Sequence, residues 1–238
     1  MRFAAAATLS LALCLAPTHT YAQDKAMAQE AMQEKMAQLK ASMAANKAKL
    51  QKYQWVESTE VSLKGEVRKD IENMCHYGPD GKVVKTPLNP QQAAAQKQKG
   101  GLRGRVVEKK KEEMTDYVER LKSLISRYVP PDGEELQAAY KAGKAEIKPG
   151  GSTGDTSLIF NDYVKAGDKV TLVIDSNTKK IQSFIVNTYL DDPKDVVNLN
   201  VRFGSLSDGT NHVEQTVLQS VEKQIQITTT NSNYALRA

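Results

Sequence analysis

Hydrophobic and polar residues alternate in three different ways along the chain. Between residues 24 and 52, Met32, Met36, Leu39, Met43, Asn46, Leu50 and Tyr53 recur at steps of four and three. That is a heptad seam, and the stretch has no Gly or Pro and is rich in good helix formers. It predicts a long amphipathic helix over 24–52 whose stripe packs on the protein's own sheet or, alternatively, on a partner helix or lipid. From Trp55 the period changes. Val56, Val61 and Leu63 mark a first strand, Lys64-Gly65-Glu66 a turn, and Val67, Ile71 and Met74 a second strand to Tyr77. Tyr77-Gly78-Pro79-Asp80-Gly81-Lys82 is a strong turn, since Pro presets φ, Asp bonds to local backbone and Gly accepts positive φ. Val83 and Val84 begin a third strand that Pro87 and Pro90 end.

The helical period returns after a connection at 88–105, whose Gly100-Gly101 and Gly104 suggest a flexible linker. Met114, Tyr117, Val118, Leu121, Leu124, Ile125 and Tyr128 line one face of a helix predicted over 106–129, and Pro130-Pro131 stops it. Asp132 can cap a shorter helix from Gly133 to about Ala142, with Gly143 suited to its end and Pro149-Gly150-Gly151-Ser152 forming a loop. Beyond Asp155 alternation resumes and predicts six strands, near 158–163, 169–175, 181–190, 197–203, 213–219 and 224–230. Meander, helices, meander is an α+β order: a half-open, barrel-like antiparallel sheet covered by helices and preceded by a long N-terminal helix.

The first residues read differently. Arg2 is followed by the uncharged run Ala4–Ala16, then Pro17 and the small-residue pattern Thr20-Tyr21-Ala22. This predicts a secretion signal over 1–22, cleaved near Ala22, and therefore a periplasmic protein. Cys14 lies within the apolar run, and Leu13 before it does not fit a lipoprotein acylation site. The expected organisation is 1–22 signal, 23–52 helix, and 53–238 one domain with a helical insert at 88–150. After cleavage Cys75 is the remaining cysteine, so no intramolecular disulfide is expected.

The net charge is +5, and the excess is local: ten Lys or Arg against five acids lie between Lys97 and Arg127. Such a patch suits a membrane surface or an acidic envelope partner, or is a solvated helix face. Nucleic acid is not an expected partner outside the cytoplasm. His76 and His212 are too few for a usual zinc site, and Cys75-His76 neighbours on a strand point to opposite faces. Gly150-Gly151-Ser152-Thr153-Gly154 has the Gly-x-Ser-x-Gly spacing, but it lies in the loop after Pro149 and leads into a strand rather than a helix, so it does not make a nucleophile elbow; no phosphate-loop pattern occurs. No catalytic residue, metal or cofactor is expected.

The layout resembles the outer-membrane lipoprotein carrier and sorting proteins and their periplasmic relatives. The resemblance rests on the export signal, a meander opening at Tyr53-x-Trp55, the helical insert, Leu172-x-Ile174-Asp175-x-x-Thr178-x-x-Ile181, and Val201-x-Phe203 ahead of Asp208-Gly209. It implies an unclosed barrel whose concave face receives the acyl chains of lipids or lipoproteins without enzymatic turnover. The helix at 24–52 and the charged insert depart from that pattern, and no residue matches the family's ligand-gating arginine. The alternating apolar faces nominate Leu172, Ile174, Phe184, Val186, Leu199, Val201 and Phe203, with Trp55, as ligand-lining residues. Alternation alone does not separate a vacant cleft from a filled core. The competing reading is a structural or interaction module with a filled core, and a third is a hydrolase whose site one sequence does not reveal.

Overall fold

The computed structural model describes residues 33–34, 37–38, 40–89, 102–129, 133–150 and 154–237. The strands are β1 (Tyr53–Leu63), β2 (Glu66–Tyr77), β3 (Val83–Pro87), β4 (Ala145–Pro149), β5 (Asp155–Asn161), β6 (Lys169–Asp175), β7 (Ile181–Tyr189), β8 (Val196–Ser205), β9 (Asn211–Ser220) and β10 (Ile225–Leu236). Among the described residues three helices accompany them: α1 over residues 40–50, α2 (Leu102–Ile125) and α3 (Gly133–Lys141).

All ten strands form one antiparallel sheet in the order β3-β2-β1-β10-β9-β8-β7-β6-β5-β4. Apart from β1 beside β10, every neighbour in the sheet is a neighbour in sequence, so tight turns set most of the register. Lys64 (φ 55°) and Gly65 (φ 79°) join β1 to β2 with both central residues left-handed, which matches the strand twist. Asp175 caps the β6–β7 turn, its carboxylate accepting the Asn177 and Thr178 amides at 2.8 Å each. At the β8–β9 turn the Asp208 carboxylate accepts the Thr210 amide and hydroxyl at 2.8 Å.

The insert between β3 and β4 has to join the two edges of the sheet, so it crosses a face. Tyr117, Leu121, Leu124 and Tyr128 of the α2 stripe and its following turn are buried, while Met114, Val118 and Ile125 flank them half-buried. Two tyrosine hydroxyls fix the crossing. Tyr117 donates to Asp195 at 2.7 Å and lies 2.6 Å from the Ser220 hydroxyl. Tyr128 donates to Asp168 at 2.7 Å and lies 2.8 Å from the Thr188 hydroxyl. The eleven steps from Tyr117 to Tyr128, helical as far as Ile125, advance by up to about 16 Å, close to the span of three strand spacings, so this stretch runs across the strands. Asp168 is 2 % exposed. Its carboxylate also accepts the Tyr163, Val164 and Lys165 amides at 2.6, 2.9 and 2.9 Å, which makes a buried charge tolerable. Arg120 pairs with Asp191 in the β7–β8 turn. α3 then packs on β4 and β5, and Gly143 (φ 73°) ends it as expected.

Four details differ from the sequence reading. Residues 102–105 are helical rather than linker, because Gly104 costs a helix only about 1 kcal/mol. The helical part of the insert ends by Lys141, and 145–149 form a strand. β4 went unseen because it is an exposed edge strand with one large apolar residue, Ile147. Of the helix expected over 24–52, residues 40–50 are helical, as are 33–34 and 37–38, while Gln51 and Lys52 form a turn into β1; the remainder, like the signal over 1–22 and Asp132, lies outside the described residues. The α1 seam docks through its polar member. Asn46 accepts the Asn211 amide and donates to its carbonyl, both at 2.6 Å, while Met43 is exposed.

Tyr128→Phe should therefore lower unfolding free energy by about 2 kcal/mol, the loss of a buried hydrogen bond to a carboxylate. Urea denaturation followed by circular dichroism measures it; an unchanged midpoint would mean the hydroxyl does not hold the insert down.

Candidate functional site

Ladder partners share a face, so the register fixes what lies side by side on the inner, helix-facing side. One row runs Ile147, Leu158, Leu172, Phe184 and Val201 across β4–β8, then turns polar at Thr216, Thr229 and Thr59. The next row runs Phe160, Val170, Val186, Leu199 and Leu218 across β5–β9 and continues to Ile227 and Val61. Leu158, Phe160, Val170, Leu172, Phe184, Val186, Leu199 and Val201 are all buried.

Five of the residues nominated from sequence thus sit together: Leu172, Phe184 and Val201 in one row, Val186 and Leu199 in the next. Ile174 pairs with Ile181 across a bulge in β7 and is half-buried. Phe203 lies just past a second bulge, pairs with Val213, and is also half-buried. Both are therefore displaced from the tightly covered rows. Trp55 is 5 % exposed but belongs to a separate group toward the opposite end of the sheet from the Tyr117 and Tyr128 anchors.

That group is aromatic. Trp55 stacks on Tyr234 at 5.6 Å with 15° between the planes and meets Tyr77 at 5.4 Å. Tyr53 meets Tyr234 edge-on at 6.4 Å, and the His212 ring is 4.4 Å from Tyr234. Asn231 bridges the seam, accepting the Trp55 indole N–H at 3.1 Å and donating to the Val213 carbonyl at 3.0 Å. Tyr53 donates to Asp208 at 3.0 Å, which ties β1 to the β8–β9 turn. On the same side Glu57, 8 % exposed, holds Lys85 at 2.5 Å. Cys75 is fully buried beside Trp55 in register, and burial pushes its thiol up to about 11, so it is a packing residue and not a nucleophile. His76, the next residue, pairs with Gln54 and Val84 on the other side of β2. Among the described residues no His, Cys and carboxylate cluster could hold a metal.

The sequence reading missed Tyr234 and His212 as members of this end. Tyr234 sits past a bulge in β10, where alternation fails. Only its spacing of three from Asn231 hinted at a shared seam.

His212 links this end to pH. Burial lowers its pKa, opposed by the Glu214 carboxylate on its own strand, while Tyr234 and Gly204 supply neutral neighbours from β10 and β8. The unfolded chain therefore takes up a proton before the folded one does. Stability is fully present above the ordinary histidine range near 6.5 and declines as pH falls from there toward the lower folded value. Melting temperature followed from pH 8 to pH 5 should fall with that onset, and His212→Gln should remove this component. A wild-type curve that superimposes on that of His212→Gln would contradict the assignment.

No protein-family model matches the chain, and no curated protein matches it. Among solved structures it is similar to a DUF1329 family protein from Desulfovibrio piger ATCC 29098, at 11 % identity and a TM-score of 0.45, with 88 % of this chain and 93 % of that one covered.

Proposed function

We propose that this is a periplasmic, non-enzymatic carrier that holds acyl chains of lipids or lipoproteins between the inner face of the sheet and the helical insert. One observation supports it above others: the polar anchors made by Tyr117, Arg120 and Tyr128 lie at one end of the sheet. Tyr117, Arg120 and Tyr128 bond to Asp195, Ser220, Asp191, Asp168 and Thr188, at the β5–β6, β7–β8 and β9–β10 turns or the strand ends beside them. The two apolar rows cross the strands between that end and the opposite one, and the row farther from the anchors turns polar at Thr216, Thr229 and Thr59. A cover fastened along one margin can part from apolar rows without breaking its fastening. An acyl chain laid along those rows gains about 0.8 kcal/mol per buried CH₂.

A second reading has its own support. Leu121 and Tyr128 are 0 % exposed and Leu172 is 1 % exposed, as in a core completed by the protein's own side chains. That reading makes the chain a structural or interaction module of the cell envelope.

Native mass spectrometry separates the two. Delipidated protein offered oleate or phospholipid vesicles should acquire adducts of one acyl ligand. Val201→Phe adds volume in the first row without charge and should weaken binding by about tenfold while the protein still melts cooperatively. A clean apo mass at every lipid concentration would leave only the filled-core module.

A further inference from the structure

We propose that two copies of this chain pair edge to edge through β3, antiparallel, about a twofold axis at Val84. The inference concerns the sheet margin and holds whether or not an acyl chain is bound.

Among the described residues β3 and β4 are the two edges of the sheet. In an antiparallel ladder the N–H and C=O of successive residues point to alternate sides. The Leu88 amide donates to the Glu72 carbonyl at 3.0 Å, and the Lys82 carbonyl accepts the Gly78 amide at 2.8 Å. The β2–β3 register between these two bonds is unbroken. Residues 82, 84, 86 and 88 therefore bond toward β2, and Val83, Lys85 and Pro87 turn their backbone groups to the open side. Val83 and Lys85 each present a donor and an acceptor there. Pro87 has no N–H and ends the row.

This pattern is self-complementary. Antiparallel pairing centred on Val84 sets Val83 against Lys85 of the second copy, and Lys85 against its Val83. The two outward donors of each copy meet the two outward acceptors of the other, giving four hydrogen bonds with no donor left over. The Val84 side chains, 42 % exposed in one copy, become a directly opposed β-branched pair with Cα atoms about 4.5 Å apart. Lys85 stands opposite Val83, itself 39 % exposed, and not opposite another lysine. Its charge is already held by Glu57 at 2.5 Å.

β4 lacks this fit. The Gly150 amide bonds the Asp155 carbonyl at 2.7 Å and the Asn161 amide the Lys144 carbonyl at 2.9 Å, so Ala145, Ile147 and Pro149 face outward. Full pairing there would centre on Glu146 and oppose two carboxylates. A shift to Ile147 would set the Ala145 carbonyl against the Pro149 ring, which has no N–H to give. Five residues a side fall short of the roughly 20–30 of a standard interface, so the β3 dimer forms and dissociates with concentration.

Sedimentation velocity of the purified protein at rising concentration should show monomer giving way to dimer and stopping there. Val84→Cys should cross-link under mild oxidation, because the opposed Cα atoms lie within disulfide reach. Thr86→Cys, two residues along on the same face, should not; Cys75 is fully buried and does not compete. Val84→Lys and Val84→Glu should each be monomeric, and an equal mixture of the two should recover the dimer. Val83→Pro removes an outward N–H without touching the β2 ladder and should weaken association about tenfold. Monomer at every concentration, cross-linking at Thr86→Cys as fast as at Val84→Cys, or a dimer indifferent to Val84→Lys would overturn the inference. So would growth past the dimer, the mark of β3 joining β4 of the next copy in an open chain. The native-protein series and the two cysteine variants decide the matter even where a charged variant does not fold.

Discussion

The pairing of β1 with β10 organises everything else. The described chain enters and leaves the sheet through neighbouring interior strands, and the Arg237 amide donates to the Lys52 carbonyl at 2.8 Å where the two strands meet. Every other strand pair is a local hairpin or turn. Once the first strand and the last lie side by side, the segment between β3 and β4 has to travel from one sheet edge to the other. It must cross a face, and the face it crosses must be apolar where its stripe of Tyr117, Leu121, Leu124 and Tyr128 settles. A buried apolar interface between sheet and helix is thus a consequence of topology.

The same topology explains where polar groups are buried. Asp168 and Asp195 are 2 % and 6 % exposed, yet each holds a tyrosine hydroxyl from the insert, and Asp168 also closes its own turn with three backbone amides. Burial raises the Tyr117 hydroxyl pKa to about 12 and pushes that of Tyr128 up as well, so both stay protonated and remain donors. Hydrogen bonds of this kind are directional, which apolar contacts are not. They fix where along the sheet the insert lies, while the rows of Leu, Phe and Val beneath supply the area.

Much of this could be read from the residues. Strand periodicity located nine of the ten strands, because one-sided burial writes a period of two into sequences such as Val170-Thr171-Leu172 and Val197-Asn198-Leu199. β4 carried no such period because it is an edge with little to bury. Five lining candidates fell into adjacent rows because their strands run in unbroken register. Ile174 and Phe203 fell outside because bulges shift the pairing beside them, and a bulge leaves no reliable mark in sequence. The aromatic end was hardest to foresee. Trp55, Tyr77, His212 and Tyr234 come from β1, β2, β9 and β10, and the Trp55 indole meets Asn231 across 176 positions of chain. Contacts of that separation are set by strand order, which local pattern does not encode.

The β1–β10 seam also governs the order of events when the protein is made. β1 to β3 leave the ribosome before most of the sheet exists, but the inner partner of β1 is the final strand. The run from β4 to β10 can zip up by successive hairpins, whereas the β1–β10 ladder has to wait for β10 to appear. Until then the early strands have an unsatisfied edge. Until that strand arrives, the unfinished chain is held open by its own connectivity.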